Sequence, residues 1–421
     1  MMEELAINGG KPVRTTPFPT HMLGASLIGQ EELNELADVV REQSPFRHYG
    51  VGNPVKVKTL EEMFEKRLGC KYALAVSSGS SALLCAIAAL GLGPGDEVII
   101  PSFAWYSDSC ALIAMGVTPV FADIGDDLNM DPADFARKIT KKTKAVIPVH
   151  YQGAPAKMDE IVRIARANNI FIIEDCAQAL GGSYHGKLLG SFGDIAITSF
   201  QTHKMITAGE GGMVFTNNEE LYVRAIRYHD LGFVRPFFEA KLENKALAAR
   251  EDAFAGLQLR MGELQGAFLC AQLRRLDGIL DKCRAAHKRI REHLAGNPNF
   301  SIRYEEGDCG LAFIMLMPTK EVADRFSAAM NAEGIPCGPT SFCCNLVSDY
   351  PIKTKAMANP NMPPFGPGCD GAEIVYDAAT ICPHTDDYVA RFVAIGIGPL
   401  YTEREVDDII NALDKVIAAI F

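Results

Sequence analysis

The stretch that decides the fold runs from Ile195 to Thr216 and reads Ile-Ala-Ile-Thr-Ser-Phe-Gln-Thr-His-Lys-Met-Ile-Thr-Ala-Gly-Glu-Gly-Gly-Met-Val-Phe-Thr. It begins and ends in short apolar runs, Ile195–Ser199 and Met213–Thr216, which predict two β-strands. Lys204 and a glycine-rich segment lie between them, so we expect this lysine in a loop at one edge of a sheet. A single lysine is usually a solvated surface charge, and only its neighbours in the fold can give it another role.

The same pattern continues toward the amino terminus. Further strands are predicted at Tyr72–Val76, Glu97–Ile100, Pro119–Ala122, Ala145–Val149 and Ile170–Ile173. Amphipathic stretches such as Asp131–Ile139 and Met158–Ala167 separate several of them. Strand–helix alternation predicts an α/β fold with a mainly parallel sheet covered by helices on both faces. Ligands of such open sheets bind beyond the carboxyl ends of the strands.

The carboxyl-terminal part has a different pattern. A helix is predicted over Leu257–Leu276, followed by a helix at Cys283–Leu294, a strand at Ala312–Met317, a helix at Glu321–Glu333 and a last helix that begins with the capping box of Thr402 and Glu405. A chain of 421 residues is long enough for two units. We expect a large domain over 30–278 and a smaller α+β domain over 279–421, with residues 1–29 packed beside the smaller one. The irregular stretch 338–371 is either a binding loop or a surface excursion.

Composition excludes several classes of function. The formal net charge is −11, and the chain has no basic stripe, so nucleic-acid binding is not expected. The amino terminus lacks a signal-peptide pattern and the longest apolar run, Ala82–Leu92, is too short for a bilayer, so no membrane association is expected. The twelve cysteines include no CxxC pair, and no cluster has zinc-like spacing. We therefore expect a cytoplasmic protein with free thiols and no metal.

Three segments could together hold a phosphorylated aromatic aldehyde. In Val76-Ser77-Ser78-Gly79-Ser80-Ser81 a strand is followed by small residues and a helix, which favours an anion site or an ordinary helix cap. Asp175 follows the apolar run Ile170–Ile173, where a carboxylate could keep a pyridine nitrogen protonated or cap the next helix. Lys204 could form an imine if its environment lowered the pKa of its amine.

These residues also resemble a known family. Ser199-Phe-x-x-x-Lys204 followed by Gly209-Glu-Gly-Gly212, with Glu174-Asp-x-Ala-Gln178 upstream, is similar to the DegT/DnrJ/EryC1/StrS sugar aminotransferases, which depend on pyridoxal 5′-phosphate. The resemblance extends from Leu5–Arg14 through Gly93–Ile99 to Arg260–Gln265. It implies the transferase fold of type I, with a mainly parallel seven-stranded sheet between helices and a smaller α+β carboxyl-terminal domain.

The resemblance implies a role for each candidate residue. Lys204 would be the Schiff-base lysine, Asp175 would pair with the ring nitrogen and Gln178 would lie near the ring hydroxyl. Gly79, Ser80 and Ser199 would hold the phosphate. Trp105, the single tryptophan, would stack on the ring, although it could equally fill the core. The family commonly has Asn, which reaches the cofactor phosphate of the neighbouring subunit, where this chain has Gln258; Gln keeps the amide but is one methylene longer.

Three histidines are weaker candidates for contact with a substrate. His203 lies beside Lys204, where it could take part in the reaction or only shape access to the site. His150 follows the run Ala145–Val149, and His229 lies in the run Arg-Tyr-His-Asp. Either could approach a polar substrate.

The implied activity is transfer of an amino group from L-glutamate or L-glutamine, through pyridoxamine 5′-phosphate, to the carbonyl of a sugar-like acceptor. The acceptor would be a nucleotide-linked keto sugar, a keto sugar acid or an inosose. A homodimer with shared active sites is also implied. Three alternatives stay open: a sugar dehydratase of the same fold, an aminobenzoate-forming dehydratase that retains its lysine, and a non-catalytic regulatory protein.

Overall fold

The computed structural model describes residues 3–339 and 343–421. Its strands are β1 Tyr72–Val76, β2 Glu97–Pro101, β3 Phe103–Ala104, β4 Thr118–Ala122, β5 Thr143–Val146, β6 Phe171–Asp175, β7 Ser183–Tyr184, β8 Lys187–Leu188, β9 Ile195–Ser199, β10 Gly212–Thr216, β11 Ser301–Ile302, β12 Ala312–Leu316, β13 Cys344–Asn345 and β14 Phe392–Gly396. Its α-helices are α1 Gln30–Arg41, α2 Lys56–Leu68, α3 Gly79–Ala89, α4 Ser107–Ala114, α5 Pro132–Lys138, α6 Met158–Ala167, α7 Glu219–His229, α8 Pro236–Lys241, α9 Glu263–Arg274, α10 Leu276–His293, α11 Lys320–Ala332, α12 Ala378–Ile381, α13 Thr385–Arg391 and α14 Glu403–Ile420.

Seven strands form one sheet in the order β1-β10-β9-β6-β5-β2-β4. Neighbours pair in parallel from β9 to β4, whereas β10 runs antiparallel to both β1 and β9. Alternate residues of β1 pack into different apolar clusters: Ala73 and Ala75 into one, Leu74 and Val76 into the other. Because successive side chains of a strand point to opposite faces, the sheet is buried on both sides, as the sequence predicts.

The reversed strand β10 shapes the edge of the sheet where ligands are expected. It begins where β1 and β9 end, and its first residue, Gly212, pairs with Val76 on one side and with Ser199 on the other. Three chain segments therefore meet at this edge within two strand spacings. The pairing register of β10 with β1 and β9 therefore places the loop of Lys204 at this edge of the sheet.

A second, three-stranded antiparallel sheet has the order β11-β12-β14. The first residues of the chain lie against the helices of this region: Glu333 accepts hydrogen bonds from the N–H groups of Ala6 (2.8 Å) and Val13 (3.0 Å), and Arg14 contacts Glu405 at 3.0 Å. We keep the division into 30–278 and 279–421 as a proposal. That boundary falls near the start of α10.

The irregular stretch after α11 forms a two-stranded sheet with β3, the short strand that follows β2 of the large sheet. β13 pairs antiparallel with β3, and the N–H of Leu346 donates to the carbonyl of Ser102 at 2.8 Å. Leu346 and Val347 are fully buried. Residues 340–342 of the predicted loop 338–371 lie outside the described residues. Residues 344–346 of the stretch pair directly with the segment that leads to Trp105.

The helix expected over Leu257–Leu276 is wrong at its amino-terminal end. The structure has extended backbone before α9, where Gln258 pairs with Asp230 and Arg260 with Val76. The carbonyl of Leu259 accepts the N–H of Ser77 at 2.8 Å. Hydrogen bonds to distant segments replace those of a helix here, which local periodicity does not reveal. The next helix, α10, also starts earlier than the predicted Cys283.

Two further observations concern the whole described chain. None of its helices combines the length and the apolar character that crossing a bilayer requires. The cysteines that the structure describes are free thiols.

Candidate active site

Residues predicted for the site converge at the carboxyl edge of the large sheet. Gly79 follows β1, Asp175 ends β6 and Ser199 ends β9. Asp175 pairs with Ile197 in the parallel register of β6 and β9, which places it close to the end of β9. Lys204 follows in the loop that connects β9 to β10. The parallel strand direction, and not the distance along the chain, brings these residues together.

The start of α3 forms a cradle for an anion. Ser78 caps the helix by accepting the N–H of Ser81 at 3.0 Å, and the first N–H groups of a helix have no partner inside it. A Cβ on Gly79 would lie 2.8 Å from the Cβ of Ser199. Only glycine lets the helix start approach this hydroxyl so closely. Ser80 is exposed, and its Oγ lies 2.9 Å from the Oγ of Ser107.

The carboxyl group of Asp175 is buried at the end of β6. Its Oδ1 accepts the N–H of Ala177 at 2.7 Å, a turn that fixes the orientation of the side chain. Burial raises the pKa of Asp175, opposed by that N–H and by the charge of Lys204. A carboxylate held in this way suits a positively charged partner such as a protonated ring nitrogen.

A second carboxyl group lies beside Asp175. Asp108, in the first turn of α4, is 1% exposed, and its carboxyl group is close enough to Asp175 to feel the charge of that residue. Burial raises the pKa of Asp108 well above its usual value, and the adjacent charge of Asp175 adds to the rise. Asp108 is not among the site residues predicted from the sequence. Its signal was an acid three positions after Trp105, the one charged residue of a short helix between two predicted strands.

The environment of Lys204 suits an amine that must lose its proton. Burial lowers the pKa of Lys204, while the charges of Asp175, Cys343 and Asp108 act in the opposite direction. Desolvation prevails because the ammonium loses most of its contact with water. The amine is therefore more readily deprotonated than an exposed lysine, as imine formation requires.

Gln178 is held by a strained turn. Its Oε1 accepts the N–H of Gln152 at 3.1 Å, and Gln152 has a left-handed backbone with φ of 45°. Arg303 donates to the carbonyls of Tyr151 (2.9 Å) and Gln152 (3.1 Å) and so fixes this turn. The other end of the amide, Nε2, lies 4.0 Å from the sulfur of Cys343. Gln152, Arg303 and Cys343 are not among the site residues predicted from the sequence, because only long-range contacts bring them to Gln178.

Trp105 is not core filler. Its side chain is 46% exposed, and its ring contacts Tyr106 edge-on with centroids 5.5 Å apart. It directly follows β3, which is anchored by β13. A large indole fixed at the end of a strand and open on one side is available for stacking with a planar ligand.

Gln258 lies on the surface of the chain. Its side chain is exposed, in the extended segment that pairs with Asp230. Exposed apolar residues lie close in sequence to both members of this pair: Leu257 and Leu264 near Gln258, and Leu231 and Phe233 just after Asp230. An exposed amide among apolar side chains could face a second subunit.

The three histidines occupy different environments. His150 is fully buried, accepts the N–H of Ala156 at 3.0 Å through Nδ1 and lies 3.2 Å from Glu174 through Nε2. His229 is also fully buried; burial lowers its pKa to about 3, and Nδ1 lies 2.7 Å from the carbonyl of Ile226. His203 is exposed beside Lys204. The placement of His150 and His229 gives no support for the expected contact with a substrate.

One group of possible metal ligands lies close together in the described part of the chain: His150, Glu174 and Cys176. All three are buried. Glu174 already accepts the N–H groups of Phe192 and Gly193, both at 2.9 Å. The carboxylate and the imidazole are thus engaged in hydrogen bonds that shape the turn after β8 and the segment after His150.

The residues at the sheet edge fit pyridoxal 5′-phosphate. The narrow approach of Gly79 to Ser199 leaves backbone N–H groups and a hydroxyl for a phosphate. Asp175 offers a buried carboxylate for the ring nitrogen, Lys204 an amine with a lowered pKa for the aldehyde, and Trp105 an open aromatic face. This donor set matches the three chemical parts of the cofactor.

Comparison with known proteins agrees with this geometry. The family model described as the DegT/DnrJ/EryC1/StrS aminotransferase family matches residues 27–360. The chain is 30% identical over 395 residues to the spore coat polysaccharide biosynthesis protein SpsC of Bacillus subtilis (strain 168), with 93% of this chain and 95% of that protein covered. It is 35% identical over 295 residues to a putative L-glutamine:3-amino-2,3-dideoxy-scyllo-inosose aminotransferase of Micromonospora echinospora. That match covers 68% of this chain and 65% of the relative.

A solved structure gives the same architecture. The crystal structure of 3-amino-5-hydroxybenzoic acid (AHBA) synthase superposes with a TM-score of 0.77 at 25% identity. The match covers 97% of this chain and all of that chain. The fold of the type I aminotransferases, expected from the sequence, is therefore confirmed.

Proposed function

The chain belongs to the DegT/DnrJ/EryC1/StrS aminotransferase family, whose members depend on pyridoxal phosphate, and we propose that it transfers an amino group from L-glutamate or L-glutamine to a sugar-like carbonyl acceptor. The acceptor class comprises nucleotide keto sugars, keto sugar acids and inososes. The observation that carries the proposal is the convergence of Lys204, Asp175 and the Gly79–Ser199 cradle at one sheet edge.

The cofactor would be held at three points. Ser199 and the backbone of Gly79 and Ser80 would bind its phosphate, and Trp105 would cover one face of its ring. Asp175 would bind the ring nitrogen and Gln178 the ring hydroxyl. When bound, pyridoxal phosphate supplies a conjugated electron sink that stabilises negative charge on the carbon from which a proton is removed.

Lys204 would serve as the proton carrier of the reaction. Its burial lowers the pKa of the amine, so the free amine would take a proton from the carbon of the amino donor. Lys204 would then deliver this proton to the aldehyde-derived carbon of the cofactor. The ammonium so formed is stabilised by the nearby charge of Asp175. Glutamate or glutamine and the acceptor would occupy the site in turn, in a ping-pong sequence.

The stretch that follows residue 342 would form part of the wall against the substrate. Cys343 reaches Gln178, and β13 is tied to β3 directly before Trp105. Tyr106 and Asp349 are hydrogen-bonded across the same junction. These contacts support the role of a binding loop over that of a surface excursion.

A homodimer with shared sites is part of the proposal. Exposed apolar residues lie on the segment of Gln258 and on the segment that pairs with it, namely Leu231, Phe233, Leu257 and Leu264. Helix α1 carries two more, Leu33 and Val40. Exposed apolar patches of this kind are typical of protein interfaces. Gln258 would then reach the cofactor phosphate of the partner subunit.

The decisive experiment combines Lys204→Ala with a panel of acceptors. The wild-type protein should show an imine absorbance band that bleaches with glutamate or glutamine, and it should aminate one of the keto sugars, keto acids or inososes. Lys204→Ala should abolish turnover and still bind pyridoxamine phosphate, because the phosphate cradle and Asp175 remain. Lys187→Ala, a lysine on β8, is the matched control.

Two results would contradict the proposal. Full activity in Lys204→Ala would remove this lysine from the reaction. A band that no amino donor changes, together with conversion of a sugar or an aminated cyclohexane by loss of water, would assign the protein to the dehydratases of the same fold.

A further inference from the structure

One turn of backbone connects Gln178 with the carboxyl-terminal part of the chain. The turn is the short 3-10 helix Tyr151–Gly153, and its three carbonyl groups all accept hydrogen bonds from one distant segment. The donors are Nη1 of Arg303 to Tyr151 (2.9 Å), Nη2 of Arg303 to Gln152 (3.1 Å) and the N–H of Cys309 to Gly153 (3.0 Å). The turn is therefore held on its carbonyl side by residues that belong to the proposed smaller domain.

The turn determines which way the amide of Gln178 faces. The backbone N–H of Gln152 lies 3.1 Å from the end of this side chain. Because a backbone N–H can only donate, the amide oxygen must be the atom that faces it, and the NH₂ group must face the other way. Nε2 is accordingly the atom that lies 4.0 Å from the sulfur of Cys343. Gln178 would therefore present a donor, and not an acceptor, to the cofactor.

The backbone of Gln152 needs support to keep this arrangement. Its φ of 45° and ψ of 46° lie in the left-handed region, which a residue with a Cβ adopts only at a cost. Arg303, which donates to its carbonyl, is buried with 6% of its surface exposed. The planar guanidinium binds two neighbouring carbonyls at once, whereas the ammonium of a lysine is a single point of charge. Arg303 therefore holds the turn in a way that lysine could not.

Asp308 compensates the buried charge of Arg303. Its Oδ2 lies 3.8 Å from Nη2 of Arg303, and both side chains are buried. Its Oδ1 accepts the N–H of Gly310 at 2.7 Å, which fixes the orientation of the carboxylate. A buried cation requires an opposite charge nearby, and a carboxylate at this distance supplies it without drawing the guanidinium away from the two carbonyls.

We propose that Arg303 is a positioning residue, which fixes the turn Tyr151–Gly153 so that the NH₂ group of Gln178 is directed at the ring hydroxyl of pyridoxal phosphate. The inference rests on the proposed function for the role of Gln178, but not for the contacts of Arg303. A donor to the ring oxygen stabilises negative charge on that atom. It therefore lowers the pH at which the bound cofactor loses the proton that this oxygen shares with the imine nitrogen.

The absorbance of the bound cofactor, titrated against pH without amino donor or acceptor, reports the position of the Gln178 amide. Gln178→Ala should raise the midpoint of this titration by about one pH unit, because a hydrogen bond to the charged form is lost. Arg303→Lys should raise the midpoint in the same direction. It should also weaken the binding of pyridoxal phosphate to the apoprotein by up to about tenfold, measured by quenching of the Trp105 fluorescence.

Arg227→Lys is the matched control. Arg227 of α7 is also buried, and its guanidinium donates to backbone carbonyls, those of Gly232 (3.2 Å), Leu247 (2.9 Å) and Ala249 (2.6 Å). This variant loses the same kind of hydrogen bonds without affecting the turn beside Gln178. Its titration midpoint should equal that of the wild type.

A double variant separates positioning from a general loss of stability. If Arg303 acts through Gln178, Arg303→Lys should not shift the midpoint further when Gln178→Ala is already present. Urea unfolding of each apoprotein measures stability separately. Should Arg303→Lys fail to fold, Gln152→Pro makes the same test from the other side of the contact, because proline has no N–H and cannot adopt a φ of 45°. Its midpoint should match that of Gln178→Ala.

The outcomes separate this inference from the proposed function. A wild-type midpoint in Arg303→Lys would overturn the positioning role, as would an equal shift with and without Gln178→Ala or the same shift in Arg227→Lys. An unchanged midpoint in Gln178→Ala would remove this amide from the ring hydroxyl and the inference with it, while Lys204→Ala still decides on amino transfer. If the shifts are found but no amino donor reacts, the inference on Arg303 stands and the proposed function fails.

Discussion

Single atoms decide what the carboxylate of Asp175 can do. Its position as the last residue of β6 puts it at the sheet edge, and the N–H of Ala177 orients it. Lys204 and Asp108 then set its charge from two other segments of the chain. A neutral amide at this position would keep the shape of the side chain but could not hold a ring nitrogen in its protonated form.

We therefore expect Asp175→Asn to lower turnover by roughly a hundredfold or more while the protein remains folded. The loss should appear in kcat, because the electron sink is weakened after substrate has bound. Steady-state kinetics with the best acceptor measure it. A rate near that of wild type would remove Asp175 from the ring-nitrogen role.

Among the elements, the start of α3 is the most constrained. The helix is mostly buried and apolar, so it cannot move away from the sheet when its first residue changes. Gly212 of β10 also packs closely against the start of this helix, since a Cβ on Gly212 would lie 2.3 Å from the carbonyl oxygen of Ser78. The geometry of the anion cradle is therefore set by the register of three strands.

Gly79→Ala should displace this helix start from Ser199 and weaken pyridoxal phosphate binding by about tenfold or more. Titration of the apoprotein, followed by Trp105 fluorescence, provides the measurement. Gly278→Ala is the matched control, because nothing lies within 4 Å of the added Cβ and α10 tolerates alanine. Equal affinities in both variants would show that the cradle does not bind the phosphate.

At the scale of the whole molecule, the amino-terminal segment is tied to the carboxyl-terminal helix by ions. Arg14 is buried and contacts Glu405 (3.0 Å) and Asp408 (2.7 Å). Burial alone would raise the pKa of Glu405, but hydrogen bonds from Thr402 and Arg14 outweigh it and lower the pKa to about 2. This carboxylate therefore contributes stability above its usual pKa and loses it as the pH falls toward 2.

Arg14→Met should destabilise the protein by roughly 2–4 kcal/mol at pH 7, since it leaves a buried carboxylate without its partner. The difference from wild type should shrink as the pH falls below 4.5, where Glu405 becomes protonated in the unfolded chain and then in the folded one. Urea unfolding at several pH values tests this. A difference that is independent of pH would rule out the ion pair as its cause.

Subunit mixing tests the shared active site. Gln258→Glu should impair the site by placing a negative charge beside the partner's phosphate, and Lys204→Ala should be inactive. If Gln258 acts on the partner subunit, a mixed population of the two variants should regain about a quarter of the wild-type sites. Recovery would be absent if Gln258 served its own chain, because every site would then carry one defect.

Much of this protein can be predicted from its sequence because the signals are local. The bounds of β1 and β9, the helix Met158–Ala167 and the capping box at Thr402 agree with the structure, since each depends on residues within one or two turns. The candidate residues Gly79, Asp175, Ser199 and Lys204 could be named because each lies at or soon after the end of a predicted strand and matches a motif of the family that the chain resembles.

Only the tertiary structure decided the features that depend on distant segments. The extended backbone before α9, the reversal of β10 and the return of β13 to β3 all rest on hydrogen bonds between segments far apart in the chain. The position of Asp108, buried near Asp175, is of the same kind. Local periodicity determines which elements form and where they end, whereas contacts between distant segments determine which side chains meet at the site.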